Sequence, residues 1–401
     1  MFNVLFAVFI LLGSVIAFPG EKDDFSIWLE SLKAEARAEK ISEMTIQETF
    51  KDAEYLPNVI VLDRSQPEFI STFFTYINKR VTEDRIDDGR YKLHENIDLL
   101  NKVEQQYGVP KNIIVAFWGL ETNYGGYKGN YELPSALMSL AYEGRRAEFF
   151  RSQLMDVMRI IDAGHNDVEG MRGSWAGASG HMQFMPSTFI TYAVDGDGDG
   201  RNDIWNSLPD AFSSASNYLS RIGWKKEEPV ALEVKLPANF DYAEARLDLR
   251  KQSADWTIIG VTKVDGTPLP ALNNTAILLP QGWQGPAFLV ADNFDVVMKW
   301  NRSINYALSV SYLADQLVED KPIINGWATV GYGGISFNQA WAMQAKLNEL
   351  GFDSGAPDGF PGTKTQQAIR SYQVQHHLPA DGYPSLELYN RLMKETTKKY
   401  K

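Results

Sequence analysis

The chain has 401 residues, of which 44% are apolar and 22% are charged, and its formal net charge is -12. These fractions are typical of a soluble globular protein, and they argue against wholesale disorder and against a polytopic membrane protein. The acidic excess argues against a nucleic-acid partner, because displacing counterions from phosphates needs a basic stripe. Cysteine is absent, so the chain has neither a disulfide framework nor a cysteine that could carry a lipid.

The chain begins with an apolar run over residues 2–18, which polar "PGEKDD" follows. Val15 and Ala17 form a small-residue cleavage pair before Phe18. We therefore predict a signal peptide over residues 1–17 and a protein that is periplasmic and soluble after cleavage. The run has no lysine or arginine before it, which leaves an uncleaved N-terminal anchor as the alternative, although the run is short for a membrane span.

Helical periodicity dominates from Phe25 to about Arg221. Residues 25–40 and 147–164 both repeat apolar side chains at intervals of three and four, and Gly164 is typical of a helix stop. A further helix is predicted over residues 109–122, with Pro110 in its first turn.

This third helix carries Glu121 near its end, in "NIIVAFWGLETNYGG" (112–126). Ile114, Trp118 and Glu121 share one helical face, so we expect Glu121 beside Trp118. A carboxyl group in apolar surroundings tends to keep its proton, which makes Glu121 a candidate proton donor. The alternative is a helix-end glutamate on a solvated face.

Three other features could contact a ligand. The segment "GSWAGASGHMQFMPSTF" (173–189) has small residues that permit close backbone approach, and the amide of Gln183 could hold a sugar group. Arg145 and Arg146 could hold a substrate carboxylate. His181 could be a second acid. The alternatives are a tight loop before a helix, a solvated arginine pair and a histidine that only forms hydrogen bonds.

The segment "DGDGDGRNDIWN" (195–206) resembles a calcium loop, with acids at positions 1, 3, 5 and 9 and glycine at position 6. Position 12 is Asn206 rather than glutamate, so Asp210 is expected to reach round instead. A structural Ca²⁺ is predicted here, and a solvated acidic turn is the alternative. The candidate metal residues are Asp195, Asp197, Asp199, Arg201, Asp203 and Asp210.

The pattern changes over residues 228–292, where the alternating run "VALEVKLP" and the short strand-like runs "AILLP" and "AFLVAD", separated by proline and glycine, predict a small β-rich insertion. Helix returns at 294–317, and a glycine-rich linker is predicted at 321–337. Residues 338–394 are predicted to form three short helices, with turns at the Asp-Gly steps 358–359 and 381–382.

Five segments together resemble the membrane-bound lytic murein transglycosylase B family, namely "WGLETNYG", "RRAEFF", "GSWAGASGHMQFMPS", "YAVDGDGDGRNDIW" and "KWNRSINYALSV". The resemblance covers residues 25–318 and implies an α+β, mainly helical, lysozyme-like catalytic domain over 25–320. It implies that Glu121 is the catalytic acid, and that the substrate-binding residues are Tyr76, Arg145, Arg146, Ser174, Gln183, Phe184, Tyr218, Trp300, Asn301 and Tyr306. Residues 338–394 contain "AMQAKLNELGF", "PDGFPGTKTQQAIRSYQVQHHL" and "DGYPSLELYNRL", and they resemble the peptidoglycan-binding domain 1 family. A three-helix bundle without a ligand is the alternative for that module.

The chain departs from the family pattern at Ser179, His181, Met182 and Trp300. These positions affect the predicted sugar preference rather than the chemistry.

Ordinary glycosidases need two carboxyl groups, whereas only Glu121 lies in a convincing sequence context. One group suffices if the C6 hydroxyl of N-acetylmuramic acid is the nucleophile, which gives a 1,6-anhydro product. The family resemblance implies the substrate, so we predict a lytic murein transglycosylase that cleaves the β-1,4 bond between N-acetylmuramic acid and N-acetylglucosamine without a catalytic cofactor. The alternatives are a muramidase-type hydrolase and a non-catalytic wall-binding protein. The expected partner is the peptidoglycan glycan strand, with the protein acting as a monomer and complexes with other cell-wall enzymes left open.

Overall fold

The computed structural model describes residues 19–64, 71–143, 145–326 and 334–395. The predicted signal peptide, residues 1–17, lies outside these ranges, as does the central part of the predicted linker, residues 327–333. Among the described helices, none combines the length and the apolar character that a membrane crossing requires.

The first half of the chain is helical, as the periodicity predicts. Its helices are α1 (Pro19–Ala38), α2 (Glu43–Lys51), α3 (Pro57–Arg64), α4 (Phe73–Arg80), α5 (Glu83–Glu95), α6 (Ile97–Tyr107), α7 (Lys111–Thr122), α8 (Leu133–Glu143), α9 (Ala147–Asp162), α10 (Pro186–Tyr192) and α11 (Leu208–Arg221). A two-stranded antiparallel sheet of β1 (Tyr131–Glu132) and β2 (Arg172–Gly173) joins the loops on either side of α8 and α9. Gly164 has a φ of 73° just after α9, which confirms it as the helix stop.

Helix α7 is almost entirely buried, and it delivers Glu121 to its C-terminal turn. Pro110 is the residue before the helix, with ψ 138°, rather than a member of the first turn. Asn123 ends the helix in the left-handed conformation at φ 51°, and its N–H bonds back to the carbonyl of Gly119. A helix inside the core therefore places one carboxyl group at its end.

The β-rich insertion is a four-stranded antiparallel sheet with strand order β4-β3-β6-β5. The strands are β3 (Ala231–Lys235), β4 (Thr262–Lys263), β5 (Ala276–Leu278) and β6 (Ala287–Val290), and α12 (Ser253–Ile258) lies between them in the chain. Ala276 and Leu278 of β5 pack into the core of the helical body, whereas Ile277 and Leu279 pack with Trp256 in a second core. Because strand side chains alternate between faces, one sheet joins the two cores.

The helical run predicted at 294–317 is broken into α13 (Asp292–Trp300) and α14 (Ile304–Val318). Asn301 has extended angles, φ -139° and ψ 120°. Ser303 caps α14, because its hydroxyl accepts the backbone N–H of Tyr306 at 3.2 Å. The break turns the chain between Trp300 and Tyr306, and α14 then packs against α7.

The C-terminal module, residues 334–395, has the three predicted helices, which are α15 (Phe337–Glu349), α16 (Thr363–Gln375) and α17 (Leu386–Leu392). They enclose a core of their own around Met343, Ile369 and Tyr372. Gly359 and Gly382 have φ values of 77° and 72°, so both Asp-Gly turns are confirmed.

Candidate active site

The carboxyl group of Glu121 is half-buried and accepts two hydrogen bonds on the same oxygen. Trp300 Nε1 donates to Glu121 Oε1 at 2.9 Å, and the Tyr306 hydroxyl donates to it at 2.5 Å. Tyr306 is 4% exposed, and burial and the nearby Glu121 carboxyl raise the pKa of its phenol. Tyr306 therefore stays a neutral donor, and the break between α13 and α14 brings both donors to one atom.

Aromatic rings surround the Trp300 indole. Its ring centroid lies 4.5 Å from Phe117, 5.5 Å from Phe184 and 5.2 Å from Tyr218. Tyr192 continues this surface, 4.5 Å from Tyr218. Of the predicted substrate-binding residues, the structure thus brings Phe184, Tyr218, Trp300 and Tyr306 together around Glu121. Such rings offer faces on which sugars stack.

The indole that donates to Glu121 belongs to Trp300, whereas we expected Trp118 as the neighbouring ring. Trp118 is 2% exposed and packs against Phe212 and Tyr124 in the core. Sequence reasoning missed Phe117, although its position four residues before Glu121 puts it on the same helical face. No sequence signal marked Tyr192.

The loop 173–184 holds its shape through its own hydrogen bonds. Gln183 has a φ of 49°, and its amide nitrogen donates to the carbonyls of Lys128 and Gly180, both at 3.1 Å. Ser174 Oγ accepts the N–H of Ala178 at 3.0 Å. A non-glycine residue in the left-handed region is strained and persists where the surroundings enforce it. Lys128 and Gly180 provide that enforcement, and they occupy the donor end of the Gln183 amide.

His181 is a hydrogen-bonding residue that joins this loop to α7. Trp118 Nε1 donates to His181 Nδ1 at 3.0 Å, and the Thr122 hydroxyl donates to the His181 carbonyl at 2.9 Å. Burial, with a smaller contribution from Lys128, lowers the pKa of His181 to about 4. The imidazole is therefore neutral near pH 7, with Nδ1 as an acceptor.

This arrangement predicts a loss of stability in acid. The folded pKa of His181, about 4, lies below the ordinary value of about 6.5. Its contribution to stability is thus complete above pH 6.5 and is lost as the pH falls towards 4, by roughly 2–3 kcal/mol in all. In His181→Gln the side-chain oxygen can still accept from Trp118 but does not titrate. Urea unfolding at several pH values should therefore show a shallower acid decline for this variant than for the wild type, and equal slopes would contradict the prediction.

The predicted arginine pair is held by a buried acid. Arg145 Nη2 donates to the carbonyl of Asp63 at 2.8 Å, and Arg146 Nη2 lies 3.6 Å from Asp63 Oδ1. Arg146 also lies over the ring of Phe150, 4.8 Å from its centroid. Asp63 is 2% exposed, and a buried carboxylate needs such partners. The described contacts of the pair are thus with α3 and α9, while both arginine side chains remain at least half exposed.

Two other predicted substrate-binding residues lie near the donors to Glu121. Tyr76 is half-buried under the guanidinium of Arg80, 5.7 Å away, and both groups influence the pKa of the Tyr306 phenol. Asn301 ends α13, where its N–H donates to Val297 at 3.1 Å.

Three of the six candidate metal residues converge in the acidic loop. Carboxylate oxygens of Asp195, Asp197 and Asp210 lie within 4.8 Å of one another. Asp199 and Asp203 are not part of this group. Asp199 Oδ1 accepts the N–H of Arg201 at 2.8 Å, and Asp203 Oδ1 accepts the N–H of Asn206 at 2.9 Å.

Family models match nearly the whole described chain. A model of the transglycosylase SLT domain matches residues 24–315. A model of a peptidoglycan binding domain matches residues 340–392.

Individual proteins agree with this match. The chain is 30% identical over 284 residues to membrane-bound lytic murein transglycosylase B of Escherichia coli (strain K12). This match covers 66% of this chain and 75% of that protein. The crystal structure of SltB3 from Pseudomonas aeruginosa in complex with NAG-anhNAM-pentapeptide superposes with a TM-score of 0.89, at 40% identity, over 92% of this chain and 99% of that one. The structure of Escherichia coli Slt35 in complex with calcium has a TM-score of 0.63, at 28% identity, over 72% of this chain and 92% of that one.

Proposed function

This chain belongs to the transglycosylase SLT family and is a lytic murein transglycosylase, and we propose that Glu121 serves as its single acid and base. The observation that supports this role most strongly is the pair of donors at Glu121 Oε1. In a protonated carboxyl group the carbonyl oxygen accepts hydrogen bonds and the hydroxyl oxygen donates. Because Trp300 and Tyr306 both donate to Oε1, the acidic proton belongs on Oε2.

Cleavage then follows from one proton leaving Oε2 and another returning. Glu121 protonates the bridging oxygen, and the bond from that oxygen to C1 of N-acetylmuramic acid breaks. The 2-acetamido oxygen assists at C1, and the C6 hydroxyl of the same sugar forms the new bond there. The proton of that hydroxyl passes to the Glu121 carboxylate, which restores the starting acid. The atoms balance without water, and the product is a 1,6-anhydro sugar.

The remaining cleft residues are proposed to bind the glycan. Phe184 and Tyr218 present ring faces beside Trp300. The amide nitrogen of Gln183 donates to described backbone carbonyls, and its amide oxygen is proposed to accept a hydrogen bond from the sugar. Tyr76, Ser174 and Asn301 are proposed at neighbouring sugar positions, with the exposed edges of Arg145 and Arg146 near acidic groups of the substrate. SltB3 was solved with a peptide-bearing sugar, and we propose that this chain also accepts glycan that carries stem peptides.

The acidic loop is proposed to hold a structural Ca²⁺. Asp210 is fully buried, and burial and the charges of Asp197 and Asp195 raise the pKa of its carboxyl group. A divalent cation among these three acids would neutralise that repulsion, and oxygen ligands suit Ca²⁺. Asp195 also accepts the N–H groups of Gly198 and Gly200, which wraps the loop around the site. The ion would fix the loop and would supply no acid or nucleophile at Glu121.

Calcium is therefore expected to stabilise the protein. At a hundred times its Kd, a ligand bound only by the folded state adds about 2.7 kcal/mol. Calorimetry should show calcium uptake and a higher melting temperature, both lost in Asp197→Asn and kept in Asp320→Asn, an exposed control with the same charge change. If the wild type takes up no calcium and its melting temperature does not move, the site is absent.

We further propose a periplasmic monomer whose C-terminal module binds the wall. Such a module raises the concentration of enzyme on a polymer without touching the scissile bond. The module has its own core, and it matches the peptidoglycan binding domain model.

The direct experiment is clearance of purified sacculi by the purified chain. Loss of turbidity with release of anhydro-ended fragments supports the proposed function. A non-catalytic wall-binding protein would bind sacculi without clearing them, and a muramidase-type hydrolase would release reducing ends.

A further inference from the structure

A cavity of about 570 Å³ lies where the C-terminal module, the β-rich insertion and the break between α13 and α14 meet. We call it the junction cavity. The insertion lines it with Ala245–Asp248, the break with Arg302–Asn305, and the module with Pro361–Thr363 and Arg370. The module and the insertion are connected here, because Trp283 N donates to Asp381 Oδ2 at 2.8 Å and Arg370 Nη2 donates to the Ala245 carbonyl at 3.2 Å.

Arginine is the main charge of this cavity, in a chain whose net charge is -12. Arg246, Arg302 and Arg370 line it together with Asp248 and Asp381. Asp381 accepts from Gln373, Tyr383 and Trp283, and Asp248 lies 3.5 Å from Arg246. Three guanidinium groups against two carboxylates leave the cavity with a formal excess of one positive charge, although Asp248 and Asp381 both also act on Arg370.

Two of the arginines, Arg370 and Arg302, have guanidinium N–H groups that could donate to a ligand. Within the described ranges, the Nε of Arg370 is buried without a hydrogen-bond partner, and burial lowers the pKa of this guanidinium. Arg302 is exposed at the cavity wall and forms no ion pair with any described residue. A buried cationic donor without a partner is costly, and a carboxylate satisfies a guanidinium fork well.

The N-terminus of α16 adds further positive electrostatic potential to the cavity. Gly362 and Thr363 line the cavity at the first turn of this 13-residue helix, and no side chain caps it. The N–H groups of an uncapped first turn favour an anion.

One short segment of chain connects the cavity with the residues that contact Glu121. Arg302–Asn305 face the cavity, whereas Trp300 and Tyr306 on either side of them donate to Glu121. An extended peptide of five residues spans at most about 17 Å. Arg302 is two residues from Trp300 and Asn305 is next to Tyr306, so the cavity wall lies within a comparable distance of Glu121.

We propose that the junction cavity is an anion site for the carboxylates of the peptidoglycan stem peptide. The inference rests on the proposed function, since it presumes that the glycan lies at Glu121. It adds a binding site formed jointly by the catalytic domain, the insertion and the module. The site selects strands that carry peptides over strands that have lost them.

The test compares two substrates, which are glycan strands with stem peptides and the same strands stripped of peptide by an amidase. Arg302→Gln is expected to raise KM for the peptide-bearing strands about five- to tenfold and to leave kinetics on stripped strands unchanged. Arg370→Gln should do the same. Lys235→Gln, an exposed insertion residue that does not line the cavity, is the charge-matched control and should behave as the wild type.

Each outcome decides one question. If Arg302→Gln and Arg370→Gln both keep the wild-type KM on peptide-bearing strands while stripped strands are cleaved, the anion site is refuted and the proposed function stands. If the wild type cleaves neither substrate, the proposed function fails and the inference fails with it. Because Arg302 is exposed, its variant keeps the test valid even if Arg370→Gln disturbs the fold.

Discussion

Glu121→Gln is expected to lower kcat on sacculi by at least about a thousandfold, because one side chain supplies both the acid and the base. Glutamine keeps an oxygen for the donors Trp300 and Tyr306, so the fold and the sugar cleft should survive. Glycan binding by the variant should stay close to that of the wild type.

This result is measured by turbidity with purified proteins, with pull-down on sacculi as the binding readout. Glu48→Gln on the exposed face of α2 is the control that removes a carboxylate elsewhere. Turnover near the wild-type rate in Glu121→Gln would show that another group protonates the leaving oxygen.

Tyr306→Phe is expected to have the second largest effect, a fall of about ten- to a hundredfold in kcat with little change in KM. The substitution keeps the buried ring and removes one of the two donors that set the orientation of Glu121. The cost in stability should be close to that of one hydrogen bond, about 1 kcal/mol.

The split between kcat and KM separates positioning from substrate binding. Tyr312→Phe is the matched control, because Tyr312 is on the same helix and the charged groups that act on its phenol are Asp320 and Glu233. Trp300→Phe should also lower kcat, and the double variant should lose less than the product of the two effects, because both donors act on one oxygen. An unchanged kcat in Tyr306→Phe would mean that the tyrosine does not position the acid.

Helix α7, which carries Glu121, could be predicted from the chain because its signals are local. An apolar period that ends at Glu121, and a stop at Asn123 and the glycines after it, specify a helix that presents one acid. The β-rich insertion was predictable for the same reason, since short apolar runs separated by proline and glycine fit strands such as β5 and β6.

The break between α13 and α14 could not be predicted in this way. Residues 294–317 read as one apolar-periodic run, and nothing in Asn301 or Arg302 forbids a helix. Packing on α7 and the cap from Ser303 decide in favour of two helices, which is a tertiary effect. The family resemblance suggested Trp300 and Tyr306 as cleft residues, but it did not show that they donate to the same oxygen of Glu121.

Contacts between residues far apart in the chain could not be predicted from local sequence patterns either. The arginine pair was predicted to hold a substrate carboxylate, but its described partner is Asp63, about 80 residues earlier and buried. The junction cavity depends on contacts such as Trp283 with Asp381, 98 residues apart. Periodicity reports the face of an element, and it carries no information about which distant element covers that face.

Digestion of sacculi in ¹⁸O-labelled water tests most directly whether one carboxyl group performs the whole reaction without a solvent nucleophile. We expect every new muramic acid end to be anhydro, lighter by one water than a hydrolysed end, with no labelled oxygen by mass spectrometry. Labelled oxygen at most of the new reducing ends would show that water is the nucleophile, and would contradict the single-acid mechanism at Glu121.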